Sequence, residues 1–462
     1  MSAIEVQDLS VFVGNQRLLG PVSFEVGNSE TLVIMGETGA GKSLIAEAIL
    51  GTLPQSLRME GAIIHKGRRI DNLTGDERAS LWGREITMLP QEPWRALDPL
   101  MKSGSQVLET HEYVAGLSPK QAREQTSKDL NALGLAEAEK HLPGRLSGGM
   151  AQRFAFATAT AGKAPLLLAD EPTKGLDSSR QGHIVKLLRE VPAKNGTLIA
   201  ITHECPVARE LGGNLIVMKD GQIVEQGKTK DVLAKPKAGY TKQLIAADPV
   251  SWDKSHSLYS GDTVLSVGNL TVSRGKNILI EKLSFTLNAG ERLAISGPSG
   301  VGKTSLLDVL AGLLEPVKGV VERAAGLAPL AVQKLYQDPP AAFPPHITLG
   351  QNLRDVARMH GAKWDQVMVY FSDLGLHPEL LERRPDSVSG GELQRVSIAR
   401  ALIVKPKVIL ADEPTSRLDP ITQRETLELI EKICREENIA VVLVTHSPEI
   451  ADKWADRTIV LE

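Results

Sequence analysis

Apolar and polar positions along the chain follow a pattern that is laid down twice. Short β-branched runs alternate with segments of helix length throughout. "TLVIM" at 31–35 and "RLAIS" at 292–296 predict strands that run straight into glycine-rich loops. "LLLAD" at 166–170 and "VILAD" at 408–412, then "TLIAITH" at 197–203 and "AVVLVTH" at 440–446, predict further strands of the same kind. Unbroken apolar runs of this length fit strands buried on both faces, which points to an α/β class with a mostly parallel core sheet in each half. "AIEVQDLSVFVG" at 3–14 and "TVLSVGNLTVSRG" at 263–275 alternate apolar with polar residues, predicting antiparallel strands that flank each core.

The duplication extends to the motifs. "GETGAGKS" at 36–43 returns as "GPSGVGKT" at 297–304, "LSGGMAQR" at 146–153 as "VSGGELQR" at 388–395, and "LLLADEPTKGLD" at 166–177 as "VILADEPTSRLD" at 408–419. Lys42 and Lys303 are 261 residues apart, whereas the later motifs are offset by 242–243, so the second copy is shorter between its first and last motifs. Chance can supply one such loop; two, each followed by the same motifs in the same order, mark a tandem repeat. Domains are expected at 1–247 and 262–462, joined by 248–261, a short stretch of mixed charge without periodicity.

Each glycine loop has the composition that a triphosphate tail requires. The backbone of Gly36, Glu37, Thr38, Gly39, Ala40 and Gly41, and of Gly297, Pro298, Ser299, Gly300, Val301 and Gly302, can curl so that successive N–H groups point at phosphate oxygens. The helix after each loop directs its positive end to the same place. Lys42 and Lys303 would reach the β- and γ-phosphates, and the hydroxyls of Ser43 and Thr304 would hold Mg2+. Asp170 and Asp412, at the ends of buried strands, can bind that metal through water. Glu171 and Glu413 come next and are candidates to polarise the attacking water. His203 and His446 recur at matched distance from these glutamates and can hold water, carboxylate and γ-phosphate in line. Gln91 and Gln337 each offer an amide oxygen to Mg2+ or to water. Ser147 with Gly148 and Gly149, and Ser389 with Gly390 and Gly391, read as N-caps that expose backbone amides, a second anion-binding surface in each half. A tail wrapped by one loop has only its outer face left, so the economical arrangement sets the loop of one half against the serine–glycine segment of the other.

Composition narrows the partners. The 462 residues carry a net charge of −3 and only 4% aromatics, which gives no basic footprint and few stacking platforms for nucleic acid. The two cysteines, Cys205 and Cys434, are far apart and lack metal-ligand spacing, as expected in a reducing compartment. "MSAIEVQDLS" has neither a basic start nor an apolar core, so no secretory signal is expected. The most apolar runs are of strand length, too short to span a bilayer.

These motifs, in this order, closely resemble an ABC-type ATPase with two nucleotide-binding domains fused, and the resemblance covers essentially the whole chain. Finer features resemble the ATPases of dipeptide, oligopeptide and nickel importers: "WRALDPLMKSGSQVLE" at 94–109, the methionine in "LSGGMAQR", and "KAGYTKQLIAADP" at 237–249. The resemblance implies two tandem P-loop domains, each with a RecA-like parallel core, an antiparallel β-subdomain and a helical subdomain near 92–150 or 338–395. It implies ATP and Mg2+ at two composite sites: Lys42, Ser43, Asp170, Glu171 and His203 with Ser389 and Gly391, and Lys303, Thr304, Asp412, Glu413 and His446 with Ser147 and Gly149. "GLD" at 175–177 and "RLD" at 417–419 match the family's segment after the glutamate. The adenine-stacking aromatic of the family falls on Val13, one residue beyond Phe12, and on Arg274.

An importer ATPase implies integral membrane permease subunits, two in number, docked around 91–99 and 337–345, and through them an extracytoplasmic substrate-binding protein. It places the chain peripherally on the cytoplasmic face of the inner membrane, with no nucleic acid partner. Both halves keep glutamate and histidine, so two hydrolysing sites are expected. The alternatives are a soluble ABC ATPase of a phosphonate-degrading complex, or one of the translation-factor branch, whose relatives have a long charged linker that 248–261 does not resemble. The cargo is not legible in the chain.

Overall fold

The computed structural model describes residues 2–91, 96–174, 176, 178–254, 261–275, 277–416 and 418–461. The chain divides into two compact units, Met1–Asp248 and Pro249–Glu462.

In the first unit the strands are β1 (Ser2–Val13), β2 (Gln16–Gly27), β3 (Thr31–Gly36), β4 (Leu57–His65), β5 (Arg68–Arg69), β6 (Ile86–Leu89), β7 (Leu166–Asp170), β8 (Thr197–Thr202), β9 (Asn214–Lys219) and β10 (Gln222–Lys228). They form two sheets, ordered β2-β1-β4-β5 and β10-β9-β3-β8-β7-β6. The second is parallel from β9 to β6, and every residue of β3, β7 and β8 is buried, as two-faced coverage demands of such apolar runs. The first is antiparallel. Helix Lys42–Leu50 contributes Ile45, Ala46 and Ile49 to a core shared with Ile4, Val11, Ile34 and Leu168, which joins the two sheets.

The second unit repeats the plan with β11 (Thr263–Arg274), β12 (Asn277–Asn288), β13 (Arg292–Ser296), β14 (Lys318–Arg323), β15 (Val332–Leu335), β16 (Val408–Asp412), β17 (Ala440–Val444) and β18 (Arg457–Val460). Its sheets run β12-β11-β14, antiparallel, and β15-β16-β17-β13-β18, parallel throughout. Runs of helices lie between β6 and β7 and between β15 and β16, where the helical subdomains are expected.

Part of the expected linker belongs to the second unit. Pro249–Ser251 forms a single turn against helix Pro448–Trp454, Trp252 packs on the core, and Lys254 pairs with Asp452 at 3.0 Å. Residues 255–260 of that stretch lie outside the described residues, as do Gly175, Asp177 and Arg417 after the glutamates and 92–95 of the expected docking segment. No helix among the described residues is long and apolar enough to cross a membrane.

Candidate active site

β3 ends on Gly36 and β13 runs into Gly297, and neither glycine leaves room for a side chain. A Cβ at Gly36 would lie 2.3 Å from the Met218 carbonyl oxygen, and one at Gly297 2.5 Å from that of Leu461. The loops close on Gly41 and Gly302, left-handed at φ 85° and 108°, which turns the chain into helices Lys42–Leu50 and Lys303–Ala311. Loop amides and helix N-terminus together make an anion cradle. Lys42 Nζ donates to the carbonyls of Gly36 and Glu37 at 2.8 and 2.7 Å, and Lys303 Nζ to those of Gly297 and Pro298 at 2.7 and 2.9 Å. Each ammonium is thereby held at its own loop.

The first loop has a support that sequence reasoning missed. The Glu37 amide donates to the Tyr240 hydroxyl at 2.8 Å, so helix Gly239–Ala246, far along the chain, braces the cradle. The second loop has Pro298 at the matching place, which has no N–H to give. Only tertiary structure reveals this contact.

Asp170 and Asp412 end β7 and β16 and are buried. Glu171 and Glu413 follow in the left-handed region, at φ 46° and 45°, with their amides held by the carbonyls of Ile201 and Val444. Such a conformation costs about 1–3 kcal/mol in a non-glycine residue, and it lets successive carboxylates serve different partners. Glu171 receives Gln91 Nε2 at 2.9 Å on Oε2 and faces His203 Nδ1 at 3.1 Å on Oε1. Glu413 receives Gln337 Nε2 at 3.0 Å and faces His446 Nδ1 at 3.4 Å. Glutamine, glutamate and histidine, remote in sequence, meet in both units.

Burial alone would raise the Glu171 carboxyl, but the His203 hydrogen bond and the charges of His203 and Lys174 outweigh it and hold the group well below its ordinary range. At Glu413 burial is likewise outweighed by His446 and, more weakly, by Lys303, so its carboxyl is lowered as well. Lys174, missed from sequence, is the difference: its Nζ lies 3.0 Å from Glu171 Oε2, whereas the second unit has Ser416 there, whose hydroxyl donates to the Glu413 carbonyl. Laying the two "ADEPT" segments side by side exposes this substitution.

The residues expected to hold a metal also gather. Burial pushes Asp170 up, opposed by a hydrogen bond from Ser43, and Asp170 Oδ1 is buried without a partner. An orphaned carboxylate oxygen beside a serine hydroxyl fits a divalent cation. Thr304 Oγ1 donates to Asp412 Oδ1 at 3.2 Å.

Ser147 and Ser389 cap their helices as expected, accepting from Met150 N at 3.4 Å and Glu392 N at 3.3 Å. Only the second is reciprocal: Glu392 Oε2 accepts from the Ser389 amide at 2.8 Å and from its hydroxyl at 2.7 Å. Gly148, Gly149, Gly390 and Gly391 form the first turns of these helices. Phe12 carries the Arg58 guanidinium 4.4 Å above its ring, while Val13 and Arg274 are exposed.

The family model described as ABC transporter matches residues 19–174 and 280–416, which hold both loops and both carboxylate pairs. This chain belongs to the ABC transporter family. It is 32% identical, over 99% of its length and 93% of the relative's, to the uncharacterized ABC transporter ATP-binding protein YejF of Escherichia coli K12. It is 31% identical to the glutathione import ATP-binding protein GsiA of Pectobacterium atrosepticum, over 99% of this chain and 84% of that one. Among solved structures it superposes on archaeal ribosome recycling factor aABCE1, in complex with stalk protein aP1, with a TM-score of 0.67, covering 94% of this chain and 83% of that one. At 21% identity that likeness shows the fold alone. The two ABC domains bind ATP, and ABC ATP-binding proteins of this kind hydrolyse it to drive transport.

Proposed function

We propose that this ABC protein is the motor of a peptide-type importer, hydrolysing ATP at Glu171 and Glu413 to move cargo through separate membrane subunits. The observation that carries the reading is the repeated triad: a strained glutamate, buried in the first unit and half-buried in the second, meeting glutamine and histidine at the end of a strand beside the phosphate loop. Relatives named for peptidoglycan transport, in Agrobacterium fabrum, and for glutathione import support a cargo with peptide character.

In this reading the loop amides with Lys42 or Lys303 bind the phosphate tail. Ser43, Gln91 and Asp170, and Thr304, Gln337 and Asp412, would hold Mg2+, which would neutralise charge on the phosphate oxygens. Glu171 or Glu413 accepts the proton of the attacking water while His203 or His446 fixes the carboxylate. Water oxygen bonds to the γ-phosphorus, the bond to the bridging oxygen breaks, and ADP and phosphate leave. The partners are two integral permease subunits and, through them, an extracytoplasmic binding protein; the chain sits peripherally at the cytoplasmic face of the inner membrane. Alternation between transport states follows nucleotide occupancy because ATP favours one of two conformations.

E171Q and E413Q test the assignment. Each is expected to lower phosphate release by about 100-fold or more at its own site while ATP still binds. Full turnover in either variant overturns the role, and ATPase activity unmoved by any co-purifying permease overturns the transport reading.

A further inference from the structure

The two metal-binding aspartates stand in different company, and the difference is one buried positive charge. Lys334 pairs with Leu410 across β15 and β16, and Met88 pairs with Leu168 across β6 and β7. Both leucines lie two residues before the aspartate, so Lys334 and Met88 occupy the same place in the two units. Lys334 is almost fully buried, with its Nζ 3.3 Å from Asp412 Oδ2 and 2.7 Å from Asp308 Oδ1. Asp308 stands five residues after Lys303 on the loop helix, as Glu47 does after Lys42. With Thr304 on Oδ1, both oxygens of Asp412 are engaged. In the first unit Met88 packs into the core instead, Glu47 feels the charge of Asp170, and Asp170 Oδ1 has no partner.

We propose that Lys334 is a resident cation in the metal-binding shell of the second site, so that the second site holds its divalent metal more weakly than the first. A buried ammonium touching the aspartate repels an incoming dication and competes with it for the same carboxylate oxygen. At the first site Asp170 feels the charges of Lys42 and Lys174, has methionine in place of the strand lysine, and leaves Oδ1 without a hydrogen-bond partner, open to a cation. The inference rests on the proposed nucleotide sites, which ATP binding tests separately.

The experiment uses the full chain carrying E171Q and E413Q, loaded with two equivalents of ATP, with bound Mn2+ counted by loss of the free-ion electron paramagnetic resonance signal. Two classes of Mn2+ are expected, separated by about tenfold or more, the conservative end of Coulomb's law for one unit charge close to a dication. K334M copies the first unit's own residue and is expected to tighten the weak class. M88K is expected to loosen the tight one, and it decides the matter should K334M fail to fold. Identical classes in the parent, or classes unmoved by the variants that fold, overturn the role of Lys334. Failure to bind ATP at all overturns the nucleotide sites themselves.

Discussion

Lys174→Ser makes the surroundings of Glu171 resemble those of Glu413, and its effect can be estimated. Two unit charges separated by 3.0 Å, as Lys174 and Glu171 are, attract by about 5 kcal/mol at an effective dielectric constant of about 20. The lysine side chain is 30% exposed, so water and side-chain entropy remove most of that, leaving on the order of 1–2 kcal/mol. Losing the ammonium should therefore raise the Glu171 carboxyl, which the Lys174 charge and hydrogen bond help to hold down. A stronger base takes the proton of water more readily, so hydrolysis at the first site should rise about threefold, and at most about tenfold if the whole gain reaches the transition state. The assay is phosphate release by the chain carrying E413Q, measured across pH. The sign is fixed: a higher carboxyl pKa moves the acid limb of the profile toward neutral pH as the plateau rises. An unchanged plateau and limb, with ATP affinity and melting temperature intact, would refute the argument that Lys174 restrains this base.

Three further outcomes are expected. Tyr240→Phe removes the acceptor for the Glu37 amide, and about 1 kcal/mol corresponds to roughly fivefold weaker ATP binding at the first loop, read by fluorescent-nucleotide binding in a K303A chain. Arg292→Met strips a buried guanidinium from Glu431 at 2.7 Å and Asp456 at 2.9 Å; breaking such a pair costs about 3–5 kcal/mol, visible as a lower urea midpoint for the second unit. Both cysteines are buried, with Cys205 pushed up to about 12 by burial, so a disulfide reagent near neutral pH should find neither thiol until the chain unfolds.

Much of this architecture is legible in the sequence because parallel strands covered on both faces must be apolar from end to end. "TLVIM", "LLLAD" and "TLIAIT" therefore announce β3, β7 and β8, and a carboxylate closing such a run is visible as an exception. Glu171 and His203 are readable for a related reason: the chain repeats them at one spacing. What the motifs do not encode is company. Tyr240 reaches the first loop through a helix about 200 residues downstream, and no local pattern marks it. Lys334 sits in "VQKLYQ", where a lone lysine in a strand reads as exposed, and only the pairing of β15 with β16 turns it inward against Asp412. Within the stretch expected as a linker, Trp252 packs against the second core despite polar neighbours, a contact that composition does not reveal.

The repeat preserves the catalytic frame while redistributing charge within it. Each unit carries one lysine that the other lacks, yet the two ammonium groups do not sit on the same carboxylate. In the first unit Lys174 lies on the glutamate that would accept a proton, and the aspartate is left for the metal. In the second unit Lys334 lies on the aspartate, and Ser416 leaves the glutamate without a neighbouring ammonium at that position. A cation on the base slows proton acceptance; a cation on the metal carboxylate weakens metal binding. The same added charge thus predicts opposite handicaps, a first site that holds its metal well and turns over slowly, and a second with a stronger base and a looser metal. Because Lys174 contacts the glutamate and reaches Asp170 through its charge, whereas Lys334 contacts the aspartate, K174S should alter chiefly turnover and K334M chiefly the Mn2+ classes. Their effects should add in the double variant. Coupling between them would mean that the two sites exchange more than occupancy, and charge placement alone would then fail to explain their inequality.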